Sequence, residues 1–215
     1  MNRKKKANCN VLHTPPTTEQ FTAYQKAWDY LNENLFDGQL RPCLLNFSRK
    51  HRSRGFFWAD KWTKASTTCH EISLNPDVLE RPVKESMSTL AHEMVHQWQQ
   101  DHGQPSRNGY HNKEWADKME QIGLIPSQSG EPGGKKTGQR VTHYIDPNGP
   151  FKRAFDQMPQ EYLIPWRSGG VEEQRKKSRN QDKTAYRCSC GSTIWGKADL
   201  LVKCKRCGKL FRQSA

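Results

Sequence analysis

The run His92-Glu93-Met94-Val95-His96 sets two imidazoles four residues apart with a carboxylate between them. On a helix, positions i and i+4 project side by side, close enough to grip one ion. Glu93 then lies beside that ion, within reach of a water on it. The chemistry this predicts is zinc-assisted hydrolysis of a peptide bond. Zinc acidifies water and polarises a carbonyl, while Glu93 acts as general base and later returns the proton to the leaving amine. Five residues of this kind also arise by chance on polar helix faces, so their surroundings matter. A catalytic zinc takes three protein ligands and keeps one position open. His111 is the best third ligand by position. It stands in Gly109-Tyr110-His111-Asn112, just before a further helical pattern, and the loop from Gly103 to Tyr110 can fold it back. His102 is a rival that faces another side of the helix, and Glu114 is a less favoured carboxylate alternative. His13, His51, His70 and His143 carry no spacing argument and read as surface or hydrogen-bonded residues.

A second constellation lies near the C-terminus. Cys188-Ser189-Cys190 and Cys204-Lys205-Arg206-Cys207 form C-x-C and C-x-x-C separated by thirteen residues. Two close pairs with a hairpin-length insert suit a four-cysteine structural zinc ribbon. Gly191 and Gly208 follow the pairs, where tight turns direct backbone N–H groups at sulfur. A redox pair is the alternative and fits poorly with both pairs present. Trp195, Lys197, Lys203, Lys205, Arg206, Lys209 and Arg212 decorate this module. Bases that neutralise phosphate and an aromatic ring that stacks on an unpaired base make it a candidate nucleic-acid surface.

These residues need elements to position them. Phe21, Tyr24, Ala27, Trp28, Leu31 and Leu35 recur at helical spacing, which predicts a helix over 18–35, with Thr17 and Gln20 resembling a capping box. Cys43–Phe47, Gly55–Trp62 and Thr68–Leu74 read as three short strands. A long helix is expected from near Pro82 to Gly103. Its wheel collects Val83, Met87, Leu90, Ala91, Met94, Val95 and Trp98 on one stripe, and it turns His92, Glu93 and His96 away from that stripe. A second helix is expected from Asn112 to Ile122. Beyond Pro126 the texture becomes polar. Gly133-Gly134-Lys135-Lys136-Thr137 looks briefly like a phosphate loop, but Ser129 stands where that motif needs glycine and Lys136 where it needs Ser or Thr. Residues 141–166 have aromatics without a period and read as an extended arm.

Charge divides the chain of 215 residues, which carries a net +13. Residues 1–16 hold four Lys/Arg and no acid, residues 174–215 hold twelve against two acids, and the middle is near neutral. Base clustered at the ends implies a polyanionic partner, nucleic acid first. No apolar run reaches the length of a membrane span, and the basic N-terminus has no apolar stretch behind it. The expected location is therefore cytoplasmic, associated with the nucleoid or with DNA. Cys9, Cys43 and Cys69 are scattered and read as buried or free thiols.

The order helix, short strands, H-E-x-x-H helix and Gly-x-His before a helix bearing Trp115 resembles the SprT-like (Spartan) zinc metalloprotease family, of the bacterial or mobile-element type with a C-terminal ribbon. Arg54-Gly55-Phe56-Phe57 and Leu74-Asn75-Pro76 share in the resemblance. The resemblance implies an α+β, zincin-like fold, one catalytic zinc on His92, His96 and His111, Glu93 as catalyst, and a peptidase that often acts on proteins bound or crosslinked to DNA. By analogy with zincins, Thr68–Leu74 is the expected edge strand for substrate. The expected organisation is a basic flexible tail (1–16), a protease domain (17–126), an extended arm of unknown role (127–166), a charged linker (167–185) and a zinc ribbon (186–215). Expected partners are a protein or peptide substrate and DNA, with RNA as the alternative, no membrane, and a monomeric chain. The competing reading is a nucleic-acid-binding ribbon protein with a vestigial zincin fold.

Overall fold

A computed structural model describes residues 14–49, 53–107, 109–168 and 183–213. Most of the expected basic tail, positions 50–52 and most of the charged linker lie outside the described residues. The chain divides into two compact units, Met1–Gly169 and Gly170–Ala215.

In the first unit, α1 (Pro16–Phe36) buries Tyr24, Ala27, Trp28, Leu31 and Leu35 along one stripe. Its start differs from the expected capping box. Gln20 instead holds Trp166 from both sides, its Nε2 donating to the Trp166 carbonyl (3.0 Å) and its Oε1 accepting from the Trp166 N–H (2.8 Å). The helix ends where Asp37 and Gly38 both turn left-handed. Buried Asn32 then pins the chain by exchanging two hydrogen bonds with Leu40.

Three strands follow: β1 (Leu44–Phe47), β2 (Gly55–Lys64) and β3 (Thr67–Leu74). Their order is β1-β3-β2, with β1 parallel and β2 antiparallel to β3. This corrects the expected edge strand. Thr68–Leu74 belongs to β3, whose Glu71–Leu74 half pairs with β1 on one side and β2 on the other, so that half has its backbone donors and acceptors used within the sheet. Alternation alone cannot tell a central strand from an edge strand, because both bury one face. Leu45, Phe57 and Ile72 stand opposite one another in register.

The central element is α2 (Val83–His102), closed by Gly103. Met87, Leu90, Ala91, Met94 and Val95 form the expected apolar stripe, all fully buried. The opposite face is covered as well. Ser86, Ser88, Thr89, Glu93, Gln97 and Gln99 are buried too, and most are matched by partners. Ser86 Oγ donates to the Val78 carbonyl, and Gln97 Nε2 to the Arg41 carbonyl. A polar face can be buried when its groups are satisfied, and a hydrophobic wheel does not register that.

After α3 (Lys113–Gln121), Gly123 turns at φ 81° and lets the chain pass Gly149, whose added Cβ would stand 2.9 Å from the Gly123 Cα. β4 (Leu124–Ser127) pairs antiparallel with β5 (Thr142–Ile145), and α4 (Pro150–Gln157) packs on α1. The stretch 127–166 is therefore not an extended arm. It contributes Phe151, Ala154, Met158 and Ile164 to the main core. An eight-residue helix with few buried positions is too short to show a period.

In the second unit, β6 (Thr184–Arg187) stands between β7 (Thr193–Gly196) and β8 (Arg212–Gln213). Among its described residues, the buried hydrophobic ones are Tyr186, Cys188 and Cys204. Tyr186 Oη donates to the Lys197 carbonyl (2.6 Å) and accepts from the Leu200 N–H (2.9 Å).

Phe151→Ala should lower stability by about 3–5 kcal/mol, the usual cost of emptying a buried aromatic site. A denaturant midpoint lowered at unchanged slope is the expected reading. A loss under about 1 kcal/mol would show that residues after 127 do not share the core.

Candidate metal centres

Three histidines from two elements converge. His92 and His96 lie one turn apart on α2, and His111 stands just before α3. One ligand nitrogen from each lies within 4.8 Å of the others. Ring centroids are 5.2 Å apart for His92 and His96, 5.5 Å for His92 and His111, and 4.9 Å for His96 and His111. Fully buried Trp115 forms their common wall, its ring 4.9, 5.3 and 4.2 Å from His92, His96 and His111.

Asn112 explains how His111 reaches α2. Its Oδ1 caps α3 by accepting from the Trp115 N–H (3.0 Å) and also accepts from Gln99 Nε2 on α2 (2.7 Å). Its Nδ2 donates to the Gln104 carbonyl (3.0 Å). One side chain thus ties the start of α3 to the end of α2. The rivals go elsewhere. Exposed His102 lies 3.2 Å from the Gln39 carbonyl, and Glu114 accepts from Gln99 Nε2 and the Gln104 N–H at 2.7 Å each. His70 is buried between Asp60, Asp101 and Arg41.

Burial, reinforced by neighbouring imidazoles, holds His92 well below the ordinary histidine pKa and His96 at about 3. Burial also lowers His111, against the pull of the Gly138 carbonyl. All three rings are neutral at physiological pH, as metal ligation requires. His111 Nδ1 lies 3.1 Å from the Gly138 carbonyl. A carbonyl only accepts, so this nitrogen carries the proton and Nε2 keeps its lone pair. Three neutral imidazole nitrogens at this separation fit a divalent ion with an affinity for nitrogen, zinc above all.

Glu93 is buried between α2 and β2. Burial pushes its carboxyl up to about 8, while the Phe57 N–H that it accepts acts in the opposite direction. A divalent cation alongside also favours the carboxylate. Gly55 makes room for it. A Cβ at position 55 would stand 3.0 Å from Glu93 Oε1 and 3.2 Å from the Ser73 carbonyl. The strand beside the catalytic candidate is thus β2, an edge strand, and not β3.

One neighbour has no sequence signal. His143 on β5 places Nδ1 3.2 Å from His92 Nδ1 and Nε2 3.0 Å from Ser88 Oγ. Burial, followed by Arg54 and Arg81, brings its pKa down to about 4. Only the pairing of β5 with β4 brings it here, and a lone histidine in an aperiodic stretch could not show that.

In the second unit the four cysteine sulfurs also lie within 4.8 Å of one another. Cys188 and Cys207 are 3.2 Å apart and Cys190 and Cys204 3.6 Å, all as free thiols. Gly191 and Gly208 have φ of 88° and 70°. Both end tight turns, with the Gly191 N–H donating to the Cys188 carbonyl and the Gly208 N–H to the Cys204 carbonyl. The Ser192 hydroxyl and N–H hold the Cys190 thiol down at about 6, on the thiolate side that metals favour. Lys197, Lys203, Lys205, Arg206, Lys209 and Arg212 are all exposed, and Trp195 is 67% exposed.

The geometry agrees with what comparison finds. Residues 24–136, over half of the chain, match the model of the SprT-like family. The chain belongs to the SprT-like family. A stretch of 41 residues is 42% identical to "Uncharacterized protein in mucB 3'region" of Salmonella typhimurium, covering 19% of this chain and 55% of that protein. The chain thus spans about half the length of that relative. No solved structure matches significantly. His92, His96 and His111 of this SprT-like chain lie within the matched segment, and its four clustered cysteines lie outside it.

Two clusters predict two zinc ions per chain by elemental analysis. His111→Ala should lose one and Cys204→Ser the other, independently. Retention of both ions by either variant would remove that cluster as a site.

Proposed function

We propose that this SprT-like protein is a zinc-dependent endopeptidase acting on proteins bound or crosslinked to nucleic acid, DNA first. The observation that carries the reading is the convergence of His92, His96 and His111 within 4.8 Å, with the buried carboxylate of Glu93 one residue along the same helix. A zinc ion bound there supplies Lewis acidity to water and carbonyl. His92, His96 and His111 would hold it through three nitrogens, the donor number of catalytic rather than structural sites.

Glu93 takes the proton from the attacking water and delivers it to the leaving amine. The Phe57 N–H and the absence of a side chain at Gly55 define where its carboxylate rests. β2 supports the peptide reading, since an edge strand can accept an extended substrate by adding a strand to the sheet. The zincin-like description of the first unit belongs to this reading. No helix among the described residues is long and apolar enough to cross a membrane, and we place the protein in the cytoplasm on DNA. The exposed bases and Trp195 of the ribbon support contact with phosphate and with an unpaired base.

Glu93→Gln should keep both zinc ions and lose about 10²–10⁴-fold in cleavage of a DNA-bound protein, the range for removing a general base. Cleavage at the wild-type rate would defeat the assignment of Glu93. A wild-type protein that binds two ions yet cleaves nothing, with or without DNA, would favour the vestigial reading.

Deleting 174–215 should weaken DNA binding and flatten its salt dependence. Loss of six phosphate contacts would reduce the logarithmic slope by roughly four to five. An unchanged slope would locate the nucleic-acid surface elsewhere.

A further inference from the structure

The segment that follows the family match reaches back to the histidine cluster at two points. The match ends at residue 136. At residue 138 the backbone pairs with His111 in both directions, His111 N–H to the Gly138 carbonyl at 2.8 Å and Gly138 N–H to the His111 carbonyl at 3.0 Å. The same Gly138 carbonyl lies 3.1 Å from His111 Nδ1. Five residues on, β5 enters its pairing with β4 and sets His143 opposite Pro126. That register delivers His143 to His92.

The hydrogen bonds around His143 have one consistent direction. Ser88 Oγ donates its only proton to the Glu85 carbonyl at 3.0 Å. It therefore accepts from His143 Nε2, 3.0 Å away. With its proton on Nε2, neutral His143 has a bare Nδ1. That nitrogen lies 3.2 Å from His92 Nδ1 and accepts the proton carried there. His92 is left with an unprotonated Nε2, the same outcome that Gly138 imposes on His111. In a histidine, the bond made by one ring nitrogen decides which nitrogen is free for a metal. His143 itself is not one of the residues whose ligand atoms converge.

We infer that His143 is a positioning residue of the metal centre, fixing the ring orientation and tautomer of His92 through the chain His92–His143–Ser88. With Gly138 it makes residues 138–143 the outer shell of two of the three ligands. This rests on the zinc reading above, and its consequence is that the protease domain does not end where the family match ends. A chain cut near 136 lacks the groups that orient its metal ligands.

The test uses the full-length protein and two readouts. The first is the ring-nitrogen NMR spectrum of the metal-free protein, with His92 identified by substitution. Wild type should show His92 as the Nδ1–H tautomer. In His143→Ala it should move toward the Nε2–H form that free histidine favours. The second is competition for zinc with a chromogenic chelator. His143→Ala should weaken the histidine-bound zinc about 10–100-fold, the range for losing an outer-shell partner, and leave the cysteine-bound zinc unchanged. His143→Gln should restore most of the affinity, because its amide can accept from His92 and donate to Ser88. Thermal unfolding of the metal-free variants shows whether the fold persists. The inference is overturned if His143→Ala, still folded, keeps both the wild-type His92 tautomer and wild-type zinc affinity. It is equally overturned if His143→Gln binds as weakly as His143→Ala. If wild type binds no zinc on its histidines, the zinc reading fails, while the metal-free tautomer still decides the role of His143.

Discussion

Three imidazoles can share one cation only if all are neutral and each turns a bare nitrogen inward. Much of the first unit serves that constraint. Neutrality comes from burial against Trp115, which touches all three rings. Orientation comes from hydrogen bonds on the far side of the rings, supplied to His111 by a carbonyl and to His92 by another histidine. A ligand set exposed on a helix surface would have neither. This fits the burial of α2 on its polar face as well as its apolar one, where most of the buried polar side chains find hydrogen-bond partners.

The same burial isolates Glu93. Its carboxylate is excluded from water by β2, at the one position where glycine leaves space for it. Burial raises the proton affinity of such a carboxylate, and a divalent cation held by the neighbouring histidines would act in the opposite direction, favouring the ionised form. The basicity of Glu93 would then be the balance of these two opposed effects.

The second unit solves a different problem. Among its described residues there is almost no apolar core, with Tyr186 the one large buried side chain. A module this small needs a cross-link or a metal to hold its shape. Four converging sulfurs supply the means, and the two glycine turns set them there. Holding its fold through cysteines frees the rest of its surface. The bases and Trp195 can then all face outward, where a polyanion would meet them.

Local pattern carried far in this chain. H-E-x-x-H on a periodic helix, a histidine one loop later and two cysteine pairs are legible because each is a short-range relation between neighbours in sequence. α1 and α2 were legible for the same reason, since their stripes span several turns, and the shorter α3 was marked by Asn112 at its start and Gly123 just past its end. Long-range pairing was not. Whether Thr67–Leu74 is a central or an edge strand depends on which strands flank it, and both cases bury one face with the same alternation. α4 is too short to print a period. His143 is 51 residues from His92, and only the register of β4 with β5 joins them. The residue types able to hold a metal are thus written in the chain, since ligand chemistry belongs to single side chains. The partners that orient those ligands were decided by tertiary structure, since a hydrogen bond between distant residues leaves no periodic trace in sequence.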